Sequence, residues 1–269
     1  NWAAQLSVSK VLLEKVTGIS AKRTLPAFAK QPFLKWWKTH KSPQTGKKVL
    51  LYVDIFTNYH EPKIAIAAVS ILEKMGYEVL ISEVQELGRP HLSKGFLEGA
   101  KKITHSTIKA WKDIANANIP IVGLEPSEIL TAKDEFLDLC DAEYLTDATQ
   151  IAKHCYTFEE FIADNLEQLP VSENERERTL VHEHCHAKAL TKRGLSKKIL
   201  ESIGYDVEVV DSGCCGMAGS FGYEKGKVDI SLKIGGQRLF PAIEKEAADS
   251  NLCASGFSCR HQIHDGTGK

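Results

Sequence analysis

The sequence lacks any apolar run of membrane-spanning length. Its longest nearly apolar stretch, residues 64–72, covers nine positions and includes Ser70, whereas a spanning helix needs about 20. It also lacks an excess of charge of either sign. Against 34 lysines and arginines stand 35 acids, a net charge of −1, so neither nucleic acid nor an anionic membrane surface is an expected partner. No secretory or transit pattern opens the sequence, and residue 1 is Asn rather than Met, which leads us to expect a piece of a longer polypeptide. No Gly-x-Gly-x-x-Gly, P-loop or nucleophile elbow occurs, so nothing suggests that this chain transforms a substrate by itself.

What is present is an ordinary globular composition with unusual cysteines. The 269 residues are 43% hydrophobic and 26% charged, enough for one large domain or two of common size. Seven cysteines are spread along the chain, and five of them (Cys185, Cys214, Cys215, Cys253 and Cys259) fall in the last third. An odd number on a long chain is unlike a disulfide-stapled secreted scaffold. We therefore expect a reducing, cytoplasmic compartment and a metal or redox site.

Residues 1–47 read as a helical arm and linker. An amphipathic stretch over 6–16 precedes Phe28, Phe33, Trp36 and Trp37, and a Lys-, Pro- and Gly-containing connector follows. The Trp36-Trp37 pair is expected to cover this chain's own core, the alternative being a neighbouring domain. From residue 49 onward apolar runs alternate with longer amphipathic segments. Strands are expected over 49–53, 77–81 and 119–124, with helices over 62–75, 93–114 and 134–141. The order then recurs: strands over 179–182, 205–210 and 251–254, with helices over 189–203 and 225–248. This alternation predicts an α/β fold with mainly parallel sheets and helical crossovers.

The recurrence is also visible in letters. Ile71-Leu72-Glu73-Lys74-Met75-Gly76-Tyr77 matches Ile199-Leu200-Glu201-Ser202-Ile203-Gly204-Tyr205 at five of seven positions, at an offset of 128 that also carries Gly88 onto Gly216. The same offset sets Asp54 to Thr57 against His182 to Cys185. We read an internal duplication: a first lobe over 48–145, a connector over 146–177 and a second lobe over 178–269.

In the second lobe Cys185 follows the first strand, Cys214 and Cys215 the second, and Cys259 the third. Loops after parallel strands gather at the carboxyl edge of a sheet, where ligand sites form. Four thiolates there suit a [4Fe–4S] cluster or a tetrahedral zinc ion. Gly213 and Gly216 flank the adjacent pair and are expected to permit the turn that aims both sulfurs at one centre, with backbone N–H groups donating to sulfur. Cys140 and Cys155 read as core residues. Cys253 reads as core as well, with a fifth ligand as the alternative. His182, His184, His186, His261 and His264 crowd the same region as ligands, hydrogen-bond partners or bystanders.

The segments from His184-Cys185-His186 to Leu190, from Asp211-Ser212-Gly213-Cys214-Cys215-Gly216 to Gly222, and Gly256-Phe257-Ser258-Cys259-Arg260 resemble the cysteine-rich CCG domain. That domain occurs twice in one component of heterodisulfide reductase and in iron–sulfur subunits of glycolate oxidase, lactate-utilisation and anaerobic glycerol-3-phosphate dehydrogenase systems. The longer match, into Gly268, is similar to the C-terminal part of fused FAD-linked D-2-hydroxyacid dehydrogenases of the D-lactate type. The resemblance implies an iron–sulfur electron-transfer domain whose parent polypeptide carries flavin (FAD) and ferredoxin-like domains and passes electrons to a downstream acceptor. It implies Cys185, Cys214, Cys215 and Cys259 as cluster ligands, with His184 and His186, Gly213 and Gly216 around them. The family motif ends in Cys-x-x-Cys, and here its first position is Gly256, which implies four ligands and an ordinary cubane cluster. A zinc-held scaffold on the same cysteines is the alternative.

The first lobe keeps Gly88, Pro126 and Ser127 but has no thiolate: Thr57, Glu86-Leu87 and Glu128 stand at the cysteine positions. We expect it to have lost its cluster. Its acids (Asp54, Glu61, Glu86, Glu125 and Glu128) are expected to be solvated, with a hard-cation site as the alternative.

Overall fold

The structure is a computed structural model that describes residue 1 and residues 6–170, 177–246 and 250–269. Positions 171–176 of the expected connector and 247–248 of the expected helix lie outside the described residues. The fold is α/β as expected, with two parallel sheets, helical crossovers and a helix, Ser7–Thr17, near the N-terminus.

The first sheet has the order β2-β1-β3-β4, with β1 Lys48–Tyr52, β2 Glu78–Ile81, β3 Ile121–Gly123 and β4 Cys155–Thr157, all pairs parallel. Alternation along β1 sends Val49, Leu51 and Val53 into one apolar core and Leu50 and Tyr52 into another on the opposite face. Phe33 is buried in the first of these cores, with Trp36 and Trp37 packed against it, so the aromatic pair does cover the chain's own core. β4 and the helix Phe158–Ala163 fall within the segment read as a connector, and the helix Leu145–His154 begins one residue before it. They complete this sheet because Cys155 and Ile151 are fully buried beside β3.

The second sheet has the order β6-β5-β7, with β5 Arg178–His182, β6 Asp206–Val209 and β7 Asn251–Ala254, again parallel. The helix Val228–Lys245 precedes β7, and Phe257–Thr267 follows it. Leu180, Met217, Leu239, Ile243 and Ile263 form the core here together with Cys215 and Cys259.

The chain divides into two compact units, one of Ala29–Ser172 with His186–Ser202, the other of Asn1–Phe28, Glu173–Cys185 and Ile203–Lys269. This division corrects two expected boundaries. Residues 1–28 of the arm join the unit of the second sheet, held by the Ile19–Glu224 bridge and by Arg23. The segment after Cys185 breaks at Gly194 into two helices, Cys185–Leu190 and Leu195–Ser202. The latter packs on the helix Phe158–Ala163 of the first-sheet unit, where Ile199 meets an apolar core.

The two sheets place their first three strands in the same order, β2-β1-β3 and β6-β5-β7, with an alignment that differs from the expected one. Lys48 pairs with Glu78 as Arg178 pairs with Asp206, so the first strands correspond at an offset of 130 rather than 128. On this register Ile55, not Thr57, stands at the Cys185 position, and Tyr52 stands at that of His182. The third strands differ by one more residue: Leu50 pairs with Ile121 as Leu180 pairs with Leu252, which keeps Glu128 opposite Cys259.

Candidate metal centre

Each strand of the second sheet ends beside a cysteine. Cys185 opens the helix after β5, Cys214 and Cys215 lie in the loop after β6, and Cys259 sits in the first turn of the helix after β7. The four thiols form one chain of neighbours, Cys185 beside Cys214, Cys214 beside Cys215, and Cys215 beside Cys259. No disulfide joins them; all are free thiols. Cys215 and Cys259 are buried, while Cys185 and Cys214 are half-buried.

The crowding divides their acidities. The adjacent Cys185 and Cys215 thiols hold Cys214 well below the ordinary thiol value, and the Gly216 N–H donates to Cys214 Sγ at 3.3 Å. Cys259 is likewise lowered, first by Cys215 and then by the imidazoles of His182 and His184. Cys215 lies between these two thiols and is pushed up by both. Sulfurs that must share protons this way are poised to exchange them for a metal cation.

One of the five candidate histidines joins the group. His182, the last residue of β5, is fully buried, and its Nδ1 lies 2.9 Å from Ser212 Oγ. Its Nε2 is buried without a hydrogen bond of ordinary geometry. His182, Cys215 and Cys259 each bring one ligand atom into a set whose members all lie within 4.8 Å of one another. A buried polar atom with no partner is costly. Soft sulfur donors with an imidazole fit a thiophilic metal or an iron–sulfur cluster, and not a hard cation. The only sequence signal for His182 was its place at the carboxyl end of a strand, one of several histidines there.

The flanking residues divide. Gly216 has φ +97°, and a Cβ on it would meet the Ser231 carbonyl oxygen at 2.3 Å. Only glycine fits where the chain turns behind the cysteine pair. Gly213 needs no such freedom: it lies outside the left-handed region and faces open space. His184 is buried, and its ring fills the space of residue 256, with Cδ2 2.4 Å from where a Cβ on Gly256 would stand. His186 belongs to the other unit, where its Nε2 is 3.9 Å from Glu135. His261 packs on Phe257, and His264 is exposed. Cys155 is fully buried, Cys140 half-buried, and Cys253 a half-buried strand residue paired with Val181.

Behind the centre, the buried Arg23 guanidinium donates to the Gly222 carbonyl at 2.7 Å, Ser231 Oγ at 2.9 Å and Gln262 Oε1 at 2.7 Å, and pairs with Asp265 at 3.0 Å. It ties the loop that follows Cys215 to the helix that carries Cys259. Sequence reading gave Arg23 no role, because its four partners are some 200 residues or more away.

The corresponding place in the first sheet is closed by its own hydrogen bonds. Tyr52 Oη donates to Glu128 Oε2 at 3.2 Å, and the Leu87 N–H donates to the same oxygen at 3.0 Å. Asp54 accepts from the Phe56 and Thr57 N–H groups and the Thr57 hydroxyl. Asp54, Glu125 and Glu128 are buried, against the expectation of solvated acids; Glu86 is exposed as expected. Burial, with the neighbouring carboxylates adding to it, raises Asp54 to about 6 and Glu128 to about 7.

No family model matches the chain. Among curated proteins it is similar to the D-2-hydroxyglutarate dehydrogenase of Pantoea ananatis (strain AJ13355), 29% identical over 82% of this chain and 21% of the relative. It is similar to an anaerobic glycerol-3-phosphate dehydrogenase subunit of Escherichia coli (strain K12), 26% identical over 99% of this chain and 68% of the relative. The lactate utilization protein A of Oceanobacillus iheyensis (strain DSM 14371 / CIP 107618 / JCM 11309 / KCTC 3954 / HTE831) is 27% identical over 69% of this chain and 77% of its own length. The chain thus spans about a fifth of the D-2-hydroxyglutarate dehydrogenase and most of the other two. Among the described residues no helix is long and apolar enough to cross a membrane.

Proposed function

We propose that this chain is the iron–sulfur electron-transfer part of a flavin-linked 2-hydroxyacid dehydrogenase of the D-lactate or glycolate type, with the CCG-domain architecture and a [4Fe–4S] cluster. The observation that carries the reading is the gathering of Cys185, Cys214, Cys215 and Cys259 at one sheet edge, the last two beside a buried imidazole nitrogen. The names of the relatives support it: two are dehydrogenases or subunits of one, and the third serves lactate utilization. Flavin and ferredoxin-like domains of the same parent polypeptide, and a downstream acceptor, are the proposed partners.

When bound, the cluster would supply one-electron transfer between reduced flavin and that acceptor. The residues of the chain provide the rest. Cys185, Cys214, Cys215 and Cys259 give up thiol protons to bind. The Gly216 N–H, already donating to Cys214 Sγ at 3.3 Å, stabilises charge on sulfur. Met217, Leu239 and Ile263 exclude water from the buried side, and Arg23 holds the two cysteine-bearing segments together. The first-sheet unit keeps the framework without thiols at the corresponding sheet edge and acts as a scaffold.

One observation favours a second reading, a zinc-held scaffold. The ligand atoms of His182, Cys215 and Cys259, all within 4.8 Å of one another, are compatible with the spacing of about 3.8 Å that a tetrahedral zinc with Zn–S bonds of about 2.3 Å imposes. A cubane cluster, with one thiolate on each iron, spreads its ligands further. Anaerobically purified protein separates the two readings. The cluster reading expects a brown protein whose visible absorption is bleached by dithionite, with an EPR signal lost in Cys214→Ser and Cys259→Ser. A colourless protein without a redox response, before and after iron–sulfur reconstitution, overturns it.

A further inference from the structure

We propose that His182 supplies a nitrogen ligand, through Nε2, to the metal centre of the second sheet. The inference rests on the metal-binding reading above and goes beyond its four cysteines. His182 closes β5, pairing with Ala254 of β7, so the backbone of two strands fixes where its side chain begins. The residue is fully buried, and Nδ1 is taken by the Ser212 hydroxyl at 2.9 Å. When Nδ1 keeps its proton and donates it to Ser212 Oγ, the imidazole is neutral and Nε2 carries a lone pair. That lone pair has no nitrogen or oxygen partner; it faces the Cys259 sulfur and lies within 4.8 Å of both the Cys215 and Cys259 sulfurs.

An imidazole serving only to donate a hydrogen bond to sulfur must carry a proton on Nε2, as the opposite neutral tautomer or as imidazolium. Imidazole is neutral where a thiolate is anionic, so as a fifth donor beside four thiolates it leaves the net charge of the centre unchanged. The first-sheet unit offers a contrast at the corresponding positions. There Tyr52 donates to Glu128, a closed pair of donor and acceptor, whereas His182 and Cys259 are two donors to a metal.

The experiment is pulsed EPR on the anaerobically purified, dithionite-reduced chain, grown with natural and with ¹⁵N-labelled histidine, with iron and acid-labile sulfide measured on each sample. The expected result is a directly bonded nitrogen coupling that changes isotope with the label. It persists in His184→Gln and is lost in His182→Gln. Iron and sulfide present with only weak nitrogen coupling, or with strong coupling that survives in His182→Gln, overturns the inference and leaves the cluster reading standing. Should iron and sulfide be absent, it is the cluster reading that fails. The inference then stands or falls on Co(II)-loaded protein, whose ligand-field spectrum must shift in His182→Gln. An unchanged spectrum overturns it. The labelled wild-type chain tests histidine ligation even if His182→Gln fails to fold.

Discussion

Gly216 and Gly213 lie three residues apart around Cys214 and Cys215 and carry opposite expectations. Alanine at Gly216 must hold φ near +97° and bring a Cβ against the Ser231 carbonyl. We expect Gly216→Ala to cost about 2–4 kcal/mol and to lower metal retention. Gly213→Ala meets open space and should change neither within about 0.5 kcal/mol. Urea denaturation and metal content of the two variants check this pair. A second residue-scale prediction concerns the buried acids of the first sheet. Glu128 is raised from 4.5 to about 7, so between these values the folded state holds a proton that the unfolded chain has released. Stability therefore falls as pH rises through that window, by at most about 3 kcal/mol for this group. Glu128→Gln should raise the thermal midpoint at pH 8 and leave it nearly unchanged at pH 4. A gain at low pH instead would mean that the carboxylate is not the source. The cysteine quartet was legible in the sequence because adjacent cysteines among glycines, with two more after flanking strands, have few other uses. His182 was not, because one histidine in a cluster of five reads the same whether buried or exposed.

At the scale of elements, the centre depends on two segments arriving together, the loop after β6 and the helix Phe257–Thr267. Arg23 bridges them from the N-terminal segment, with its guanidinium buried and every bond to a partner in the same unit. Removing it leaves Asp265 without its cation and Gln262 and Ser231 short of a donor. We expect Arg23→Ala to cost about 3 kcal/mol and to speed metal loss to a chelator. Arg23→Lys keeps the charge without the fork and should fall between. Chelation half-times that match wild type in both variants would remove Arg23 from any positioning role. The element order was legible because parallel βαβ units alternate apolar strands with amphipathic helices. β4 was not: three residues, Cys155–Thr157, joined directly to helices at both ends, give too short an apolar signal. The true register was hidden as well. The identities that reveal the duplication lie in the helix end before β2 and β6, whereas the first strands are displaced by two residues.

For the whole molecule, two units carry the same strand pattern with different chemistry at the sheet edge. One is closed by Tyr52, Glu128 and the Leu87 amide; the other gathers four thiols and an imidazole. The sequence placed a boundary before residue 178, while the structure sends residues 1–28 to the second sheet's unit and residues 186–202 to the first. Such exchange is invisible to composition, since it depends on which core a helix meets rather than on the helix itself. A chain that aligns with a fifth of one dehydrogenase and two-thirds of a dehydrogenase subunit has its proposed activity only alongside other domains. The function therefore turns on what the thiols hold. The decisive measurement is iron, zinc and acid-labile sulfide per chain after anaerobic purification. About four irons and four sulfides, falling away in Cys259→Ser, are what the account predicts. About one zinc with no sulfide, unchanged by reconstitution, would contradict it.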